Sequence, residues 1–393
     1  MDAVQPSPII VVAGMAREMK AKGEDVVSLS IGVPGFLPPA HVYEAAHAAV
    51  DKDTGDYLAG RGSDALVQAF IASMKARGFD YTAGEVTAQN GGKGLLFNLF
   101  LALLDAGDEV VIPAPYWASY PEMVKIVGGT PAIVQATAEQ DYKMTPAQLE
   151  AALGPNTKAI LFNNPSNPTG MLYSADEVKA LAGVLVKHPD VWVISDDIYD
   201  MLVFDGSKRA AHLLDFAPEL KSRTIIIQSV SKTYGMPGWR VGMVAAPKQV
   251  VDALLKLTSQ SHTNLPAVTM AAAAAAFGGD QNFLAEQKAR LMAQRDTALA
   301  ALANMDGVTC PVPQGAFYVF PQVRALFGKT SAGGRLIDSD VAFCEALLAE
   351  ARVAVVPGGA FGDDGAIRIS YAGKADELAK GLARMGEFVA SLR

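Results

Sequence analysis

A lysine flanked by serines and followed by an arginine is the first constellation here that could do covalent chemistry. Lys232 sits in SVSKTYGMPGWR, behind Ser229 and Ser231 and eight residues ahead of Arg240. A lone lysine reads as a solvated surface charge. Hydroxyls and a guanidinium returning over a turn, however, are what a phosphate dianion needs, the arginine binding it as a bidentate fork. An amine beside a phosphate cradle points to a phosphorylated carbonyl cofactor held as a Schiff base.

Five further features fit the same chemistry. Asp196 and Tyr199 in SDDIYD read in isolation as a helix N-cap and a core tyrosine. Functionally, Asp196 would keep a pyridinium nitrogen protonated so that the ring withdraws electrons, and Tyr199 would donate to the ring's ionised oxygen. Asn167, in NNPSNPTG, lies in a turn that its own residues explain. Its place directly after an apolar strand is not explained by the turn, and its amide could hydrogen-bond the same oxygen. The run Asn90-Gly91-Gly92-Lys93-Gly94 opens a helix, and glycines there let backbone N–H groups approach a phosphate at the positive helix end. Trp117 follows a strand and could stack on an aromatic ring or fill a core. Arg368, inside the apolar strand pattern AIRISYA, either faces solvent by alternation or enters a cleft to fork a carboxylate.

The elements that must carry these residues alternate along the chain. Helical spacing appears at 64–77, 94–104 and 174–187. Between them lie apolar, β-branched runs at Glu109–Ile112, Ala159–Phe162, Val191–Ile194 and Thr224–Ile227. This alternation predicts an α/β fold with a mostly parallel sheet, whose ligands bind beyond the carboxyl ends of the strands. The polar and aromatic clusters fall at those ends. A helix is expected near 8–22. A helical stretch runs from about Gln249 to Asn304, broken at Pro266 and Gly278-Gly279. Strands are expected at Phe317–Phe320 and Ala366–Ser370 with a helix at 339–351 between them, so the C-terminal part reads as a smaller α+β unit. Phe327–Arg335 reads as a mobile surface loop.

Composition narrows the classes. Of 393 residues half are apolar, which supports a large core, and 33 basic against 41 acidic residues give a net charge of −8. Such a chain is a poor general nucleic-acid binder but can hold a basic pocket for a small anion. Two cysteines, Cys310 and Cys344, exclude a disulfide scaffold and favour a cytoplasmic location. The first residues lack the basic and long apolar regions of a secretory signal, and no apolar run reaches the ~20 residues a bilayer requires.

Taken in order, the motifs SLSIGVPGF, Tyr57 through Gly62, NGGKGLLFNLFLALLDAGDEVVIPAPYW, NNPSNPTG, SDDIYD, SVSKTYGMPGWRVG, QGAFYVFP and RISYA cover nearly the whole chain. Together they resemble the fold-type I, pyridoxal phosphate-dependent class I aminotransferases, nearest the bacterial aspartate aminotransferase branch. The resemblance implies a large cofactor-binding domain over 46–285, a small α+β domain over 286–393, and an N-terminal segment, 1–45, packing with the small domain. It implies that Lys232 forms the Schiff base with pyridoxal 5'-phosphate, that Asp196 pairs with the ring nitrogen, and that Asn167 and Tyr199 bind the ring oxygen. Trp117 would stack on the ring. Gly92, Lys93 (through its backbone), Ser229 and Arg240 would hold the phosphate, joined by Tyr57 of a neighbouring subunit in an obligate homodimer. Arg368 would grip the substrate α-carboxylate, with the Gly32 backbone lining that pocket.

The implied reaction is ping-pong transfer of an amino group from an L-amino acid to a 2-oxo acid, Lys232 moving the α-proton. A β-lyase or specialised synthase on the same scaffold is the alternative. A cofactor-binding regulator is a third, disfavoured because no DNA-binding domain is added. Val33 and Gly35 stand where that branch carries acidic residues. Arg61 is an added cation, read either as a partner for a distal substrate carboxylate or as a surface residue. Gln260 occupies the position of a side-chain-binding arginine in eukaryotic and enteric aspartate enzymes, which leaves the donor's side chain open.

Overall fold

The computed structural model describes residues 4, 6–52 and 55–393. Residues 1–3 and 5 of the N-terminal segment lie outside it. Twelve strands occur among the described residues: β1 (Val27–Ser28), β2 (Val86–Asn90), β3 (Glu109–Ala114), β4 (Thr130–Gln135), β5 (Thr157–Asn163), β6 (Trp192–Asp196), β7 (Thr224–Ser229), β8 (Val241–Ala245), β9 (Tyr318–Val319), β10 (Val353–Ala354), β11 (Val356–Pro357) and β12 (Ile367–Ser370).

Seven of them form the central sheet, in the order β2-β8-β7-β6-β5-β3-β4. Within it β8 alone runs against the rest, pairing antiparallel with both β2 and β7. The other neighbours are parallel. Alternate residues of each strand feed different cores. Val111, Ile160, Val193 and Ile226 join one, while Val110, Leu161, Ile194 and Ile227 join the other. Helices therefore cover both faces, which is why these strands are unbroken apolar runs rather than alternating ones. Aligned registers bring the polar strand ends together: Asn163 pairs with Asp196, Asp196 with Ile227, and Ser229 with Gly242.

The helices agree with their spacing to within a few residues. Ser63 caps Asp64–Ala76, and Ser174 with Glu177 closes a capping box on Ala175–Leu185. Gly91–Leu103 has no side-chain cap, so its first backbone N–H groups are left to other partners. The expected long helical stretch is three helices, Lys248–Ser261, Ala267–Gly278 and Phe283–Leu302, broken where Pro266 and Gly279 stand.

A second core lies beyond the central sheet. It gathers Leu291, Leu302, Tyr318, Phe343, Ile369 and Phe388, and takes in Val27 and Leu29 from the N-terminal part. β1 pairs in parallel with β10, and β11-β12-β9 form a small antiparallel sheet. The segment 327–335, expected as a mobile loop, is tied to this unit. Thr330 exchanges backbone hydrogen bonds with Arg393, and the Ser331 hydroxyl donates to Glu350 (2.6 Å).

Candidate active site

The strand ends, the start of the helix Gly91–Leu103 and β12 surround a cavity of about 250 Å3. Gly32, Gly92, Lys93, Trp117, Asn167, Asp196, Tyr199, Ser229, Lys232, Arg240 and Arg368 all line it. Tyr57 does not; it is 89% exposed. The side chain of Lys232 follows β7 into the cavity, where Nζ donates to the Gly32 carbonyl (2.6 Å). Burial, then the charges of Arg368 and Arg240, lower its pKa to about 8, with Asp196 opposing. An amine poised there can act as a nucleophile near neutral pH.

Asp196, at the end of β6, is buried, and burial raises its pKa to about 6 against the Tyr120 hydrogen bond. The Tyr120 hydroxyl donates to its Oδ2 (2.6 Å), while Oδ1 is buried with no hydrogen-bond partner among the described residues. A buried carboxylate oxygen left unpaired costs free energy unless a ligand donor or cation meets it. Asp197, the next residue, belongs elsewhere: its Oδ1 accepts from the Ser195 hydroxyl (2.6 Å) and its other oxygen lies 3.4 Å from His212 Nε2.

Arg368 was open between solvent and cleft, and it is 1% exposed. Its guanidinium donates to Asn167 Oδ1 (3.0 Å) and to the Ser30 carbonyl (2.6 Å), between the Tyr318 and Phe361 rings at 4.7 and 4.8 Å. Nε has no partner among the described residues. Because the Asn167 amide oxygen faces the guanidinium, its NH2 is the end left to donate into the cavity.

The residues expected to cradle a phosphate come from three places. Ser229 Oγ accepts from the Ser231 N–H (2.9 Å) and pairs with Ser231 Oγ (2.7 Å), which brings the second serine into the same group. Arg240 adopts φ +56°, and a Cβ on Gly91 would lie 2.3 Å from its Nη2. Only glycine lets this guanidinium lie against the helix start. Lys93 Nζ rests over the Trp117 ring at 4.8 Å from its centroid, and burial, then the Arg240 charge, lowers its pKa.

Two side chains of this site were missed from the sequence. Tyr120 lies three residues after Trp117, just inside the helix Ser119–Ile126, and the two rings meet edge-on at 5.3 Å. Tyr318 lies within QGAFYVFP and carries no signal of its own beyond an apolar strand. Ser7, Ile9 and Ile10 bring the N-terminal helix, Pro8–Ala21, to the rim. Of the departures, Arg61 donates to the carbonyls of Ala83 and Val86 (both 2.8 Å) and is outside this cavity, as are Val33 and Gln260. Arg61→Ala is expected to lower the melting temperature by a few degrees through loss of these two hydrogen bonds.

A buried lysine and a buried acid converge at the strand ends of an α/β sheet, an arrangement that fits a group-transfer enzyme. Residues 24–385 match the family model for aminotransferase class I and II, and the chain belongs to that family. It is 45% identical over 390 residues to an aspartate/prephenate aminotransferase of Cereibacter sphaeroides (99% of this chain, 97% of the relative) and 40% identical to an aspartate aminotransferase of Geobacillus stearothermophilus (98% and 97%). The crystal structure of the Rhizobium meliloti aspartate aminotransferase superposes with a TM-score of 0.95 at 38% identity, covering 100% of this chain and 98% of that one. The Thermus thermophilus enzyme with maleate gives 0.90 at 34% identity, covering 98% of each. The chain is an aminotransferase, moving an amino group between an amino acid and a 2-oxo acid; the lyase alternative is not favoured.

Proposed function

We propose that the cavity holds pyridoxal 5'-phosphate and serves a donor with a second carboxylate. The observation that carries this reading is the buried, unpartnered Oδ1 of Asp196, a residue that lines the same cavity as Lys232. It fits a protonated ring nitrogen opposite a lysine-bound aldehyde. Bound there, the cofactor supplies an electron sink for charge developing on the substrate α-carbon. Asp196 holds the ring nitrogen, Asn167 NH2 and the Tyr199 hydroxyl donate to the ring oxygen, and Trp117 packs on the ring. The Gly92 and Lys93 backbone, Ser229 with Ser231, and Arg240 bind the phosphate. Arg368, fixed by Ser30 and Asn167, forks the α-carboxylate beside the Gly32 carbonyl. Lys232 Nζ then takes the proton from the α-carbon, its lowered pKa leaving a usable neutral fraction near pH 8.

Among the described residues four cations line the cavity, and of these the Lys93 ammonium has no task in this scheme. We assign it to the distal carboxylate of an aspartate-like donor, consistent with the names of the relatives. Lys93→Met is expected to lower kcat/KM for dicarboxylate donors about 10- to 100-fold relative to alanine, the scale of one charged hydrogen bond. Equal losses for both donors would remove the assignment.

The chain is proposed to work as a homodimer in which Tyr57 reaches the partner's phosphate site. Tyr57 at 89% and Leu37 at 78% exposure are large apolar surfaces that a second copy would cover. The proposed division into 1–45, 46–285 and 286–393 is supported by the separate cores, with the helices Ala40–Val50 and Phe283–Leu302 crossing the seams. A cytoplasmic location is proposed from the two free cysteines. Among the described residues no helix is long and apolar enough to cross a membrane.

The test is spectroscopic. Protein loaded with pyridoxal phosphate should gain a visible absorbance fixed by borohydride, with the mass increment on the Lys232 peptide. Amino acids added singly should then convert the absorbance and release the matching 2-oxo acid. Release of pyruvate and ammonia without conversion would favour a lyase.

A further inference from the structure

We infer that Tyr318 is a positioning residue that couples the carboxylate fork to the cofactor's ring oxygen through Tyr199. The inference rests on the pyridoxal phosphate reading above and goes beyond it. Tyr318 is 1% exposed, and its hydroxyl lies 2.9 Å from the Tyr199 hydroxyl. Its ring lies against the Arg368 guanidinium at 4.7 Å. The space it occupies is reserved: a Cβ on Gly32 would come within 2.1 Å of the Tyr318 oxygen. One phenol thus touches the backbone of the lysine's hydrogen-bond partner, the hydroxyl assigned to the ring oxygen, and the cation assigned to the α-carboxylate.

The direction of the hydrogen bond follows from proton supply. Either tyrosine can donate when the cavity holds no acceptor. Once Tyr199 gives its single proton to a ring oxygen, its own oxygen can only accept, so Tyr318 must donate. A hydroxyl that accepts a hydrogen bond becomes a stronger donor, by about 10–30% per bond. Tyr318 therefore strengthens Tyr199's hold on negative charge at the ring oxygen. Loss of that support makes the adjoining nitrogen contributed by Lys232 keep its proton to higher pH, because the proton then does more of the neutralising. The ring of Tyr318, independently of its hydroxyl, keeps Arg368 in plane between two aromatic faces.

Two variants of the loaded protein separate these roles. Tyr318→Phe keeps the ring and removes the hydroxyl. The pH midpoint of the visible absorbance change should rise by about half a pH unit, with affinity for an unreactive dicarboxylate within about twofold of the parent. In a Tyr199→Phe background the same substitution should add no further shift, because its route is gone. Tyr318→Leu should show the shift and, in addition, bind the dicarboxylate about tenfold more weakly, at the scale of a desolvated cation–aromatic contact. A folded Tyr318→Phe protein with an unmoved midpoint would overturn the coupling, as would an equal shift persisting in the Tyr199→Phe background. Should Tyr318→Leu fail to fold, the two phenylalanine backgrounds still decide. If the parent protein takes up no visible absorbance at all, the cofactor reading has failed instead, and the two failures are distinct.

Discussion

Lys232→Ala is expected to reduce transamination about 10^4-fold or more while the protein still folds and retains the cofactor's phosphate contacts. In the proposed scheme the lysine supplies both the covalent attachment and the proton transfer, and loss of proton transfer alone costs up to about 10^4. A coupled assay for the released 2-oxo acid reads this directly. Partial rescue by a small primary amine would show that the missing element is the amine itself. The same side chain predicts a stability effect of opposite sign. Its folded pKa, about 8, lies below the ordinary lysine value of 10.5, chiefly through burial. The unfolded chain then binds more protons between pH 8 and 10.5, so stability of the cofactor-free protein rises with pH across that window. Below pH 8 the buried charge costs up to about 3 kcal/mol. Lys232→Met should accordingly stabilise the cofactor-free protein at pH 7, with a gain that shrinks toward pH 10.5. Urea titrations at pH 7 and 10 would check it; equal gains at both would show that packing, not charge, is responsible.

The second large effect is expected at Asp196. Asp196→Asn keeps the shape and the Tyr120 contact but presents a neutral amide to the ring nitrogen. Breaking a buried ion pair costs about 3–5 kcal/mol, which corresponds to about 10^2- to 10^4-fold in kcat. The acid's own titration adds a pH signature. With the site free of cofactor, burial holds Asp196 at about 6. Cofactor affinity in the parent should weaken as pH falls through 6, and that dependence should vanish in the asparagine variant. Fluorescence titration of cofactor binding at pH 5, 6 and 7.5 measures both. An unchanged pH profile in Asp196→Asn would assign the acid to the scaffold.

Much of this site was legible because it lies where unbroken apolar strands stop. Ile194 and Ile227 announce buried parallel strands, and the next polar residues must emerge at the cleft. Lys232 and Asp196 were found on that ground, and Arg368 as a charge in an apolar strand. Strands β2 and β8 were harder. In β2, Thr87 and Gln89 are buried polar residues, and Gln89 is satisfied by the Thr258 hydroxyl at 2.8 Å, 169 residues along the chain. Local pattern cannot foresee a partner that distant, so polar residues there argue against a core strand. Tyr120 and Tyr318 escaped for a related reason. Their hydroxyls meet Asp196 and Tyr199 across 76 and 119 residues, and a phenol in an apolar segment looks like packing until its partner is known. Arg61 was ambiguous because carbonyl acceptors leave no trace in a sequence.

The arginine clasped between two aromatic rings has a last implication, for how reactants arrive. Among the described residues four basic side chains and one acid line the hollow around it, whereas the molecule as a whole carries a charge of −8. The net charge should therefore repel small anions at long range while the basic hollow attracts them at short range. Capture of doubly charged reactants should slow when ionic strength shrinks the Debye length from about 30 Å at 0.01 M to about 8 Å at 0.15 M. Simple buffer anions such as acetate or phosphate should act as competitors, and zwitterionic buffers should leave the entrance clear.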